Sequence, residues 1–166
     1  AGKVSGVSKF KVDTATGNIL WVDALVMLNR NIAFNPSAHD KIWVLGQDNL
    51  LYRSAKLSSR TYLDEDGNPI ASLAFKDDGV LVESLTKFNT VNDEITYLDQ
   101  FNLNVTQQNL FSLAVSTNKA YDPDVKTLAD GIGLSQRNTR VYMDDKGRAA
   151  FSITFDDDGI SPVSLS

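Results

Sequence analysis

A chain of 166 residues with 21 acidic and 16 basic side chains carries a formal charge of −5 and contains no cysteine. That balance argues against holding nucleic acid or an anionic membrane on a basic face. The missing cysteine removes disulfides and thiolate metal sites, and no apolar run approaches the ~20 residues of a membrane-spanning helix.

In chain order, the first strand is expected at Lys9–Val12. Ile19 to Leu28 follows as a run so apolar that periodicity alone fits a buried strand or a buried helix. Its counterpart 76 positions later decides for a strand. From Ile95 to Val105 every second residue is apolar except Asp99, with Thr and Asn between, and that is the period of an extended chain. Shorter strands are expected at Ile32–Phe34, Ile42–Leu45 and Leu50–Arg53. A three-stranded meander then reads as Thr61–Leu63, Ile70–Phe75 and Val80–Leu85, with Asp66-Gly67 and Asp78-Gly79 as turns. The segment Thr106–Asn118 spaces Leu110, Leu113 and Ala114 for a helix, but Pro36 in the matching part of the first half favours strand. Asp122-Pro123 reads as the N-cap and first turn of a short helix ending at Gly131. A second meander follows at Val141–Met143, Phe151–Phe155 and Ile160–Leu165. Pro162 has no amide hydrogen and places the last strand at an edge or a bulge.

The two meanders are copies. From Arg60/Arg140 to Leu85/Leu165 the register holds without a gap, with 11 identities in 26 pairs. Ile19–Leu25 matches Ile95–Phe101, and Lys87-Phe88 echoes Lys9-Phe10, so only Thr86 stands between the copies. A unit of about eighty residues buries only ~60–65% of its unfolded surface and is marginal alone. The expected architecture is therefore all-β: two tandem homologous β-sandwich or small-barrel modules, 1–86 and 87–166, with at most a short helix near 122–130.

Candidate chemistry is sparse. The acidic turns Asp64–Asn68 and Asp156–Gly159 lack the ligand spacing of a calcium loop, and the turns of one meander lie about 20 Å apart at ~3.3 Å per residue. They read as solvated hairpin turns. Asp23 and Asp99 fall on the apolar face of matching strands. Each is either an acid perturbed by burial or a framework residue, flipped outward by a bulge or paired with Arg60 or Arg140. The framework reading is preferred, because it accounts for both copies. One histidine, His39, and no nucleophile elbow leave serine and zinc chemistry without a basis. Gly131-Ile132-Gly133 lacks the third glycine of a dinucleotide loop. Asn104-Val105-Thr106 matches a glycosylation sequon within an expected strand. Trp21/Tyr97 and Tyr62/Tyr142 align between the copies and read as core. Trp43 and Tyr52 have no counterpart, which makes them the candidate ligand-binding residues.

These features point to a non-enzymatic structural or adhesive subunit of a larger assembly, such as a phage virion fibre or decoration protein or a bacterial surface appendage. The expected partners are copies of itself or other subunits, on a virion or cell surface, with no metal, cofactor, nucleic acid or membrane. The alternative is a module that binds carbohydrate or another small ligand through Trp43 and Tyr52.

Overall fold

A computed structural model describes residues 5–28 and 55–166. Among these residues nine strands form one antiparallel sheet in which each described strand lies beside the next. They are β1 (Gly6–Val12), β2 (Ile19–Met27), β3 (Ala55–Leu63), β4 (Pro69–Phe75), β5 (Val82–Val91), β6 (Glu94–Asn102), β7 (Arg137–Met143), β8 (Ala149–Phe155) and β9 (Pro162–Leu165). Between β6 and β7 run helix α1 (Val105–Ser116), a π-turn at Tyr121–Val125 that passes into α2 (Lys126–Asp130), and a 3-10 turn at Leu134–Gln136. The expected strands at 32–34, 42–45 and 50–53 lie outside the described residues.

The duplication extends to hydrogen-bond register. Asp23 faces Arg60 across β2 and β3, as Asp99 faces Arg140 across β6 and β7. Register slips occur at Ala24/Leu25, Tyr62/Leu63 and Ala74/Phe75. They recur at Gln100/Phe101, Tyr142/Met143 and Thr154/Phe155. The slip at Lys11/Val12 likewise recurs at Asn89/Thr90. A slip re-aims every side chain beyond it, so shared slips keep the same residues on the same face in both copies. The copies meet inside β5. Thr86 pairs with Ser72 of β4 on one side and Gln100 of β6 on the other, and Lys87 pairs with Ala71 and Asp99.

The hairpin turns follow from their sequences, with one refinement. In Asp64–Asn68 the chain closes through Asp64 N–H to Asn68 O and Gly67 N–H to Asp64 O. Only Gly67 takes a positive φ, of 88°. That is a three-residue loop with a glycine bulge rather than a two-residue turn. The equivalent loop at Asp144–Arg148 closes the same way. The two-residue turn of this sheet is Asn92-Asp93, with φ of 53° and 62°.

The expectation of strand across 106–118 is overturned. Asn104 accepts a hydrogen bond from the Gln107 N–H, and the Gln107 side chain accepts one from the Asn104 N–H. This reciprocal cap starts α1, and Phe111, Ala114 and Val115 then fall on one buried face. The all-β expectation holds, with two short helices among the described residues where at most one was expected. The helix expected at 122–130 is present, but its N-cap is Ala120, two residues before Asp122, with no side-chain cap.

Candidate functional site

The clearest polar constellations are two ion pairs, one per copy, the first buried and the second part-buried. Arg60 donates Nε to Asp23 Oδ1 at 2.6 Å and Nη2 to Oδ2 at 2.8 Å. Arg140 repeats the fork on Asp99 at 2.7 and 2.6 Å. The guanidinium of Arg60 lies 4.5 Å from the ring centre of Trp21, and that of Arg140 lies 3.9 Å from that of Tyr97. Burial works against the charge on Arg60, but the hydrogen bonds and charge of Asp23 outweigh it and hold its pKa above the ordinary value. Hydrogen bonding to Asp99 raises Arg140 likewise. A slip adjoins each aspartate, yet both side chains stay on the buried face. The bulge therefore does not flip them out; the arginine partner answers the puzzle. A bidentate fork occupies both carboxylate oxygens and fixes strand register.

The turn carboxylates are occupied by their own loops. Asp64 Oδ1 accepts from the Asp66 and Asn68 N–H groups, and Asp78 Oδ1 from Val80 and Leu81. Asp144 and Asp158 do the same in the second copy. Backbone donors from Val80 and Leu81 hold Asp78 below the usual carboxylate range. Arg148 does this for Asp144 and Ser161 for Asp158. Among the described residues no three His, Asp or Glu side chains gather as a metal site.

Where the copies differ is the face that carries these pairs. In the first copy, Tyr62, Ala71, Leu73, Phe75, Val82 and Leu85 are all buried. The cover comes from the segment between β6 and β7. Phe111, Ala114, Val115, Val125, Ala129 and Ile132 join those six residues in one core. Tyr121 packs its ring 5.4 Å from that of Tyr62, and the Ser112 hydroxyl accepts the Val82 N–H at 2.9 Å. The second copy thus lends its helices to the sheet of the first.

Among the described residues, nothing of the kind lies on the second copy. The matching residues are Tyr142, Phe151, Ile153, Phe155, Pro162 and Leu165. Phe151 is 43% exposed where Ala71 is fully buried, and Leu165 is 72% exposed where Leu85 is fully buried. Tyr142, Ile153 and Phe155 are half-buried. Their partial cover is local: Tyr142 stacks on Phe151 at 4.6 Å, and Arg137 lies over Phe155 at 3.8 Å. The tip of the β8–β9 turn is tied down, since a Cβ on Gly159 would meet the Leu134 carbonyl oxygen at 1.8 Å. The strands beyond that tip stay open. They offer the second copy's version of a surface that the first copy buries.

Trp43 and Tyr52, the ligand-binding candidates, lie outside the described residues, as does His39. Asn104 of the sequon is not in a strand but caps α1, its side chain engaged by Gln107. Ile132, between Gly131 and Gly133, is part of the core. The open face escaped sequence reading because both copies show the same apolar period. Its one signal was Phe151 standing where the first copy has Ala71, a buried alanine replaced by a large aromatic.

No protein-family model, no curated protein and no solved structure matches the chain.

Proposed function

We propose that the protein is a non-enzymatic structural subunit of a larger assembly, of the kind found in virion fibres, decoration proteins or bacterial surface appendages. The observation that carries this reading is the open apolar face of the second copy. Fully burying a Phe or Leu side chain is worth about 1.5–3 kcal/mol, and a contiguous exposed apolar patch rimmed by polar groups marks an interaction surface. In this reading the two tandem modules are half-built sandwiches. Each has one sheet layer, and each gains its second layer from the neighbour that follows. The first module finds that layer within the chain; the second takes it from a partner. The sheet edges act in the same sense, because β1 and β9 lie at the two ends of the strand order among the described residues, and an edge strand offers backbone groups for pairing.

The test is sedimentation velocity across micromolar concentrations, with Leu165→Asp alongside the native chain. The native protein is expected to associate, and the variant to remain monomeric with an unchanged circular dichroism spectrum. A native chain that stays monomeric throughout overturns the proposal. If that monomer also bound glycans and lost them on Trp43→Ala, the carbohydrate-binding role would take its place.

A further inference from the structure

We infer that a polar cleft at one end of the second copy's sheet binds a neutral sugar. This goes beyond the assembly reading and does not depend on it, since a single molecule carries the whole cleft.

The cleft has a volume of about 390 Å³, within the ~300–1,000 Å³ of small-molecule sites. One side is the end of β6 with Asn102, the cap of α1, the 3-10 turn with Ser135, and the start of β7 with Asn138. The end of β8 and the turn after it form the other side, with Phe155, Asp156 and Asp157. Two sets of contacts hold these walls. The Gln107 and Gln136 amides each donate to the other, at 3.0 and 2.6 Å. Arg137 donates Nε and Nη2 to the Gly159 carbonyl and lies over the Phe155 ring. A site held in place before its ligand arrives loses less freedom on binding.

The groups left over define the ligand. Among the described residues the side chains of Asn102, Ser135 and Asp157 make no hydrogen bond, and Asn138 engages only its oxygen. Amides and hydroxyls both donate and accept, and a carboxylate accepts from two O–H groups at once. An apolar ligand would bury these groups unpaired, at a cost. Arg137, the cation of this lining, is already committed to Gly159 and Phe155, so it does not recruit a phosphate or carboxylate. The acids do not gather three together as a metal site among the described residues. What fits is an uncharged molecule bearing several hydroxyls, with Phe155 offering apolar surface to ring C–H groups.

The comparison of the copies points the same way. By register Leu57 stands in the place of Arg137, and Ser58 and Lys76 stand in those of Asn138 and Asp156. In the first copy Lys56 reaches Asp77 at 3.1 Å. Its counterpart Gln136 turns to Gln107 instead, which leaves Asp157, the counterpart of Asp77, unpaired. Phe75/Phe155 and Gly79/Gly159 are unchanged. The turn is kept while its wall becomes amide-rich, and that suits a new contact rather than a new fold.

Backbone amide NMR of the full chain tests the site. The probes are glucose, galactose, mannose, N-acetylglucosamine, maltose and cellobiose, with glycerol as the control. At least one sugar should shift the amides of residues 102–104, 135–138 and 155–157 at millimolar concentration, and glycerol should not. Asn138→Ala and Asp157→Ala, both at exposed positions, should leave the melting temperature unchanged. Each should weaken that binding about tenfold or more, the loss expected when a hydrogen bond to a charged or amide group is removed. Asp77→Ala in the first copy should leave binding as it was. The inference is overturned if no sugar of the set shifts these amides, if glycerol shifts them equally, or if binding survives both substitutions. Shifts produced by calcium or inorganic phosphate in place of the sugars would overturn it too. Any of these results leaves native association, and with it the assembly reading, standing. A chain that binds a sugar here yet stays monomeric overturns the assembly reading alone.

Discussion

Asp23 and Asp99 occupy equivalent places but unequal surroundings. The side chain of Arg60 is 4% exposed, whereas that of Arg140 is 21% exposed. Removing a carboxylate strands its partner, and a stranded buried charge costs about 3–5 kcal/mol. Arg60 has no route to water, so Asp23→Ala should cost about that much. Arg140 can reach solvent, so Asp99→Ala should cost clearly less. Urea unfolding of the two variants checks the order, and equal costs would contradict it. The turn carboxylates set a pH dependence. Asp78, Asp144 and Asp158 are held below their ordinary range in the folded chain. They therefore bind a proton less readily folded than unfolded, where an aspartate titrates near ~3.9. The stability they contribute is present above that value and is lost as pH falls through the lower folded values. The urea midpoint should hold steady from pH 7 to about 5 and drop below about 4. Asp78→Ala with Asp158→Ala should flatten part of that drop.

At the scale of elements, α1 and α2 make one copy's sheet a core and leave the other's a surface. Leu85 and Leu165 form a matched pair for measuring this, one fully buried and one 72% exposed. Leu85→Ala should cost about 2–5 kcal/mol, the range for a buried leucine. Leu165→Ala should cost the monomer less than about 1 kcal/mol. Thermal melting under dilute conditions tests the contrast, and a rise in the Leu165→Ala cost with protein concentration would report association. The strands were legible because their period and turn residues are local. The Arg60–Asp23 pairing was legible because each member recurs at the matching place in the other copy, as Arg140 and Asp99. Helix α1 was missed although its cap was present in the sequence: Asn104 and Gln107 stand three apart, as a reciprocal cap requires. Pro36 in the other copy outweighed that local signal, on the assumption that matched copies share every element. What covers which sheet is a long-range matter, and no period within the chain encodes it.

For the whole molecule the question is whether two copies unfold as one. Separate small modules joined by a tether would melt independently, and a repeat array can lose cooperativity along its length. Two features oppose that here. β5 is hydrogen-bonded to both copies, with Thr86 and Lys87 paired on each side. The helices that cover the first copy are anchored in the second, through Phe101 and Leu103 in the same core. Loosening the second copy would release α1 and α2 and uncover Leu73, Val82 and Leu85, so neither copy has a stable state of its own. Both tryptophans, Trp21 and Trp43, lie in the first copy, and their fluorescence reports that half alone. Far-UV circular dichroism reports strands in both halves. The two probes should trace one coincident transition in urea, the usual sign of two-state unfolding, and Ile153→Ala in the second copy should lower the tryptophan midpoint as well. A dichroism change that precedes the fluorescence change would show the second copy melting first, and would mean that the shared strand and the borrowed helices do not couple the halves.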